Sequence, residues 1–294
     1  MTQPGILAPL APHFRFLHFD IKREDQLVPS LERLHAADWE HDVLGVGPEL
    51  AARLGASIPG LRPFPQFSGS KVALPINQHA LLYILRDHDK SALMDRTHTV
   101  EELLAPGFVL RDCEDAFKYK EGRDFSGYED GTENPEDRAQ EVALIRGAGA
   151  GVDGGSMLAL QIFIHDLPAL FEHDPAAQDH IIGRSRIDNE ELDDAPSTAH
   201  VKRAAQESFE PDAFMIRRSV PYTKGLEKGL IFVAYGRSLD AFDAVLKRMV
   251  GAEDGLVDAL FSFTAPRSGA TYFCPPVLGR RLDLRALLPG SAVR

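Results

Sequence analysis

The chain has 294 residues, 44% of them apolar and 26% charged, the proportions of a soluble globular protein with ample core for one large or two ordinary domains. Its net charge of −12 argues against partners that present phosphates, whether nucleic acid or an anionic membrane. Two cysteines, Cys113 and Cys274, without a C-x-x-C pair, exclude a disulfide framework and a cysteine-rich zinc site. The start, Met1-Thr2-Gln3-Pro4-Gly5, lacks the basic and apolar runs of a secretory signal. No apolar stretch nears the roughly 18 residues that cross a bilayer, so a cytoplasmic protein is expected.

In chain order, the aromatic-rich run 13–21 reads as a buried strand. A helix is expected over 24–37, with Leu27, Leu31 and Leu34 on one face, and a short one over 48–54. Residues 58–75 are rich in Pro and Gly and read as loop. A strand over 80–85, a helix ending near Leu104 and a strand opening at 107–110 complete this half. The second half predicts a strand over 157–165, a helix over 167–182, strands over 214–220 and 229–235, and a helix over 238–250 capped by Ser238. Strand material follows at 261–264 and 271–273. The order β-α-β-β-α-β in this half is the ferredoxin-like arrangement. The matching strand-then-helix starts at 14–21 and 160–165 suggest a loose repeat, with a ligand-binding interface between the units. The fold class expected is α+β, two tandem ferredoxin-like units of antiparallel sheet and helices, with boundaries at 1–146 and 147–294.

Between the halves lies Gly127-Tyr128-Glu129-Asp130-Gly131-Thr132-Glu133-Asn134-Pro135, three carboxylates, an amide and two glycines in nine residues. Gly and Asn-Pro dictate a tight bend, and the flanking Gly127 and Gly131 let backbone approach a ligand around Asp130. Asp130, Thr132, Asn134 and Glu141 fit a calcium-loop pattern, but Pro135 stands where that loop needs Gly. Residues 149–154 match G-x-G-x-x-G letter for letter, yet they precede a strand-like run, so they read as a linker.

Downstream, the polar segment 182–196 is long for a plain connection and leads to His200. Arg217 and Arg218 are adjacent on a strand and point to opposite faces, so one can turn inward, where it needs an anion or an acceptor. A structural salt bridge would meet that need as well as a site would.

Taken together, residues 127–135, Asp188-Asn189-Glu190-Glu191-Leu192, Ala199-His200, Arg217-Arg218-Ser219-Val220-Pro221, and Phe263-Thr264 with Ser268-Gly269 resemble the dye-decolourising peroxidase family, most closely its intracellular bacterial branch. The resemblance covers nearly the whole chain and implies two ferredoxin-like units enclosing one haem b per chain. It implies His200 as the proximal iron ligand and Asp258, by its place before residues 259–264, as the acid behind it. Asp130, Arg217 and Ser219 fall on the opposite haem face, with Ser219 where some relatives have Asn. Arg184 suits a haem propionate, since guanidinium forks match carboxylates.

The implied activity is reduction of H2O2 through a ferryl haem and oxidation of dyes, phenols or other one-electron donors. Surface oxidation would pass through aromatic residues, with Trp39, Tyr83, Tyr119, Tyr128, Tyr222, Tyr235 and Tyr272 as candidates. A homo-oligomer is expected from the family. Some relatives enter protein nanocompartments through a C-terminal extension, and residues 289–294 carry no obvious tag of that kind. A haem storage or iron-release protein of deferrochelatase type is the alternative, and it would need only His200. Chlorite-dismutase-like chemistry is a third reading, which leaves the acidic loop without a role.

Overall fold

The computed structural model describes residues 1–289. Its main strands are β1 (His13–Ile21), β2 (Val43–Val46), β3 (Leu81–Asp87), β4 (Phe108–Phe117), β5 (Ser156–His165), β6 (Ile216–Arg217), β7 (Val220–Lys224), β8 (Glu227–Gly236) and β9 (Thr264–Cys274). Between them run α1 (Pro4–Leu7), α2 (Leu27–Ala36), α3 (Pro48–Arg53), α4 (Lys90–Leu104), α5 (Ala139–Ala143), α6 (Leu167–Phe171), α7 (Pro175–Ile182), α8 (His200–Ala204) and α9 (Asp240–Met249).

All nine strands belong to one antiparallel sheet in the order β5-β9-β2-β3-β1-β4-β7-β8-β6, and β5 also pairs with β8. The sheet therefore closes into a ring, which removes the free edges that strands otherwise expose. β6 and β7 lie along one edge of β8, with Ile216 opposite Tyr235 and Val220 opposite Ile231, so they act as a single interrupted strand. Each half of the ring has the same internal order: the first and third strands are central, and the second and fourth lie outside. The halves meet at β2–β9 through Val46 and Phe273, and at β4–β7 through Ala116 and Tyr222.

Phe14, Phe16, Leu160, Ile162, Tyr222, Ile231 and Tyr272 pack in one apolar cluster fed by strands of both halves. A second cluster joins Leu17 and Phe19 to Leu27, Leu31 and Leu34 of α2 and to Phe242 and Leu246 of α9. Because β1 feeds both clusters, its sequence is apolar at consecutive positions and lacks the clean alternation of a half-solvated strand.

Several local readings change. β2 went unread because it has four residues, all buried, with a Gly among them, and so offers no alternation. The helix expected over 167–182 is two helices, since Pro175 cannot continue the first; Asp174 caps the second by accepting from Ala177 N at 2.9 Å. Residues 259–262 form a 3-10 turn, and β9 is one strand from Thr264. Pro266 and Gly269 disguise that strand; beside Pro266, Arg267 is the extra residue of a bulge where the register shifts between Ile162 and Phe163 of β5. The expected strand 214–220 breaks after Arg217 and resumes at Val220. Residues 149–154 form a turn ahead of β5, as a linker would. Residues 290–294, which the nanocompartment-tag reading included, lie outside the described residues. Among the described residues, no helix is long and apolar enough to cross a membrane.

The β5–β8 closure yields a stability test. Gly229 faces Ile164, and a methyl group added there would collide with the carbonyl oxygen of Phe163. Backbone cannot turn away as a flexible side chain can. Gly229→Ala is expected to destabilise the protein by about 1–3 kcal/mol, read from urea unfolding; an unchanged midpoint would mean that this part of the ring is loose.

Candidate functional site

The site lies beside the outer helices of the second half. α7 ends at Gly183, whose left-handed backbone (φ 93°) only Gly adopts freely and whose missing side chain admits Val201 of α8. That close approach fixes α8, and His200 is its first residue. His200 Nδ1 lies 2.8 Å from Asp258 Oδ2. Asp258 is 1% exposed and also accepts from Leu260 N at 2.8 Å, so its carboxylate is pinned from both sides. Burial would push the imidazole's pKa down, but the charge and hydrogen bond of Asp258 outweigh it and hold it above its ordinary value. With Nδ1 engaged, Nε2 is the nitrogen left for a ligand, and 30% of the side chain remains open.

His200 borders a cavity whose non-atom space, open solvent at its mouth included, is about 970 Å³. β5 contributes Gln161, Phe163 and His165; β8 contributes Leu230 and Phe232; α9 contributes Phe242, Val245, Leu246 and Met249. The acidic loop supplies Tyr128, Glu129 and Asp130, and β6 supplies Arg217. The walls are mainly apolar, with a few polar groups converging on the space.

The loop that carries Asp130 is clamped to the strand that carries Arg217. Asn134 Oδ1 accepts from Arg217 N at 2.8 Å, and Asn134 Nδ2 donates to Arg217 O at 3.0 Å. One amide thus serves both backbone groups of Arg217, as a neighbouring strand would. Gln206 repeats the device: its Nε2 donates to Glu133 O at 3.0 Å and its Oε1 accepts from Met215 N at 2.7 Å. At the loop's other end, Asp124 bridges His165 Nε2 (3.1 Å) and Ser126 N (2.9 Å), while His165 Nδ1 sits 2.7 Å from Thr264 Oγ1. Burial would raise the Asp124 carboxyl, but the His165 hydrogen bond and charge hold it below its ordinary range.

Burial pushes the pKa of Arg217 down, opposed by the charges of Asp130 and Glu133, and its Nε has no acceptor. Among the described residues, the Asp130 carboxylate has no hydrogen-bonding side-chain or backbone partner.

Two assigned residues sit elsewhere. Ser219, buried with an unpartnered hydroxyl, lines a neighbouring pocket that shares Glu129, Asp130 and Arg217 with the main cavity but does not include His200. The strand break at 218–219 puts it there. Arg184 does not line the cavity: it donates to Asn189 O (2.9 Å) and to Glu133, and also pairs with Glu191. Both of its terminal nitrogens donate to groups of this chain.

A lone imidazole is too little for a bare ion. Among the described residues, no group of three or more His, Cys, Asp or Glu could hold one. The cavity fits a large, flat, mostly apolar cofactor that brings its own metal: broad hydrophobic walls, one oriented imidazole with a spare nitrogen, and buried donors on Arg217 and Gln161 without protein partners.

A closed antiparallel ring with helices thus carries an imidazole oriented by a buried carboxylate, and an acid and a guanidinium that line the same cavity. The family model described as Dyp-type peroxidase, C-terminal, matches residues 121–278. The chain belongs to the DyP-type peroxidase family. It is similar to the dye-decolorizing peroxidase of Rhodococcus erythropolis, 28% identical over 242 residues that cover 79% of this chain and 71% of the relative. To that of Mycobacterium tuberculosis it is 24% identical over 294 residues, covering 92% and 88%. Among solved structures it resembles a dye-decolorizing protein from V. cholerae (TM-score 0.83, 29% identity, covering 93% of this chain and 97% of that one). It also resembles a variant of Rhodococcus jostii DypB in complex with heme (TM-score 0.82, 26% identity, covering 93% and 96%).

The Asp124–His165 pair makes a pH-dependent prediction. A carboxyl held low by folding contributes stability above its unfolded value, near 3.8, that is lost as pH falls through the lower folded value. Asp124→Asn should therefore be less stable than the parent at pH 7, by about 1–3 kcal/mol, and the gap should narrow as pH drops below 3.8. Thermal melts of both proteins across that range check this; a gap that persists unchanged into acid would contradict it.

Proposed function

We propose that this chain is a haem peroxidase that holds its cofactor through His200 Nε2, reduces hydrogen peroxide at the Asp130–Arg217 pair and oxidises one-electron donors. The observation that carries the assignment of residues is geometric: His200, Asp130 and Arg217 line one cavity, and Asp258 holds the His200 ring from behind through Nδ1. We read the architecture behind it as two ferredoxin-like units, 1–146 and 147–294, a reading supported by the identical strand order of the two halves. The cytoplasmic reading is supported by two thiols that are free of disulfides.

Bound haem supplies the iron centre at which peroxide is taken up and the two-electron redox capacity that its reduction requires. The chain's own residues handle protons and charge. Asp258 fixes the His200 ring through Nδ1 and raises the basicity of Nε2. Asp130, with its carboxylate unengaged, accepts the proton of the incoming peroxide and returns it to the departing oxygen, so that this oxygen leaves as water. Arg217 faces the same space with a preorganised guanidinium and stabilises the negative charge that grows as the O–O bond breaks. Each peroxide then yields two waters at the expense of two electrons and two protons from donor molecules. Ser219 borders the neighbouring pocket that reaches Asp130 and Arg217, where it would meet peroxide or water on the way in. Arg184 braces Glu133 and so supports the acidic loop.

For the donor, burial narrows the choice. Trp39, Tyr83, Tyr128, Tyr222, Tyr235 and Tyr272 are all buried, and Tyr119 alone of these candidates is part-exposed. Its ring lies 5.1 Å from that of Phe125, and both line an open pocket that reaches Ser126, a residue of the main cavity wall. Tyr119 is the candidate for donors too large to enter.

Stopped-flow mixing of the haem-loaded protein with H2O2 tests the roles. Asp130→Asn and Arg217→Leu should each retain haem and lower the second-order rate by about 10²–10³-fold. Variants that react at the wild-type rate would remove these residues from the chemistry.

A further inference from the structure

Alternate residues of a strand share a face, and β5 turns Gln161, Phe163 and His165 toward the cavity. Phe163 is apolar, and both ring nitrogens of His165 are occupied, by Thr264 and Asp124. Gln161 differs from both. It is 2% exposed, and its Nε2 is buried with no acceptor anywhere among the described residues. Such an amide carries the full desolvation cost of its N–H, and a leucine would suit neighbours such as Phe163, Leu230 and Phe232 without that cost. A polar group left unpaired on a cavity wall calls for something in the cavity to pair with it.

The register shows what Gln161 shares that wall with. Gln161 stands opposite Phe232 of β8, and Ala234, two residues along, stands opposite Arg217 of β6. Gln161 and Arg217 are therefore two strands apart, about 10 Å across the sheet and about 7 Å along it by ordinary strand spacings. Both side chains are long and both line the same cavity, with Phe232 between them. Arg217 too has a buried nitrogen without a partner. The terminal torsion of a glutamine is broad and roughly two-fold, so a half turn exchanges the ends of the amide without moving the strand.

We propose that Gln161 is a further ligand-contacting residue, whose amide donates a hydrogen bond to the small oxygen-bearing or anionic ligand that Arg217 also holds. The inference rests on the haem peroxidase reading above. It adds a neutral donor to the charged one: Arg217 supplies the field, and Gln161 supplies direction from the other side of Phe232. A water or a peroxide oxygen can meet both.

Fluoride is the probe, because it is small, anionic and a strong hydrogen-bond acceptor. Haem-loaded wild type, Gln161→Leu and Gln161→Met are titrated with sodium fluoride and followed by the absorption spectrum of the ferric form. Both variants should take up haem with the wild-type Soret band and bind fluoride about tenfold more weakly, the effect of losing one hydrogen bond to a charged group. The methionine variant keeps the length of the side chain and guards against a folding defect in the leucine one. Wild-type fluoride affinity in a variant that holds haem overturns the proposal alone. Loss of haem from both variants overturns it too, by placing the amide on the cofactor instead of its ligand. Absence of a Soret band in the wild type overturns the underlying reading and this inference with it.

Discussion

The hydrogen bond between His200 and Asp258 is the constraint on which the rest of the site depends. An imidazole has two nitrogens and can offer either; with Nδ1 2.8 Å from a carboxylate that is itself tied to Leu260 N, only Nε2 remains. Asp258 is almost fully buried, so its charge is poorly screened where it acts on the ring. Burial alone would lower the imidazole's pKa, and the charge and hydrogen bond of Asp258 hold it above its ordinary value instead. A surface histidine in a helix of five residues would have neither the fixed orientation nor the basicity.

Across the cavity the problem is reversed, because there the groups must stay unengaged. A carboxylate and a guanidinium placed near each other ordinarily form a salt bridge, which would spend both. Here the backbone does the positioning instead. Asn134 grips both backbone groups of Arg217, Gln206 ties Glu133 to Met215, and Asp124 anchors the loop to β5 through His165. The side chains of Asp130 and Arg217 are thereby held near one space while their functional ends remain available. The cost shows in the lowered pKa of Arg217, whose charge is partly desolvated and only partly offset by Asp130 and Glu133. The closed ring makes this affordable in structural terms, since β6 borrows rigidity from β8, which is hydrogen-bonded on both edges.

How much of this the sequence discloses follows from the range of each interaction. Two glycines mark Asp130 as a point of close approach, and two adjacent arginines on a strand let one of them face inward; the family resemblance is what singles out Arg217. His200 and Asp258 became legible together through the family resemblance, and the structure puts them in contact across 58 residues. The clamps were not legible. Asn134 stood in the quoted motif, but its partner lies 83 residues away, and no spacing rule links an Asn to a distant backbone. His165 closes a strand in the sequence, and nothing near it names Asp124. Gln161 sat inside an apolar run as an apparent interruption, which is the signal that could have flagged it. The surroundings of Ser219 and Arg184 were hidden for a related reason: a strand break turns Ser219 into a pocket that adjoins the cavity at Asp130 and Arg217, and Glu133 and Glu191 engage Arg184.

The central claim is that His200, oriented by Asp258, carries the cofactor. It is tested most directly by chemical rescue. Apo wild type and His200→Ala are loaded with haem and their absorption spectra recorded before and after addition of free imidazole. The account predicts a histidine-ligated spectrum for the wild type, its loss in the variant, and its return when imidazole fills the space left by the side chain. A variant whose spectrum matches the wild type without imidazole would contradict it.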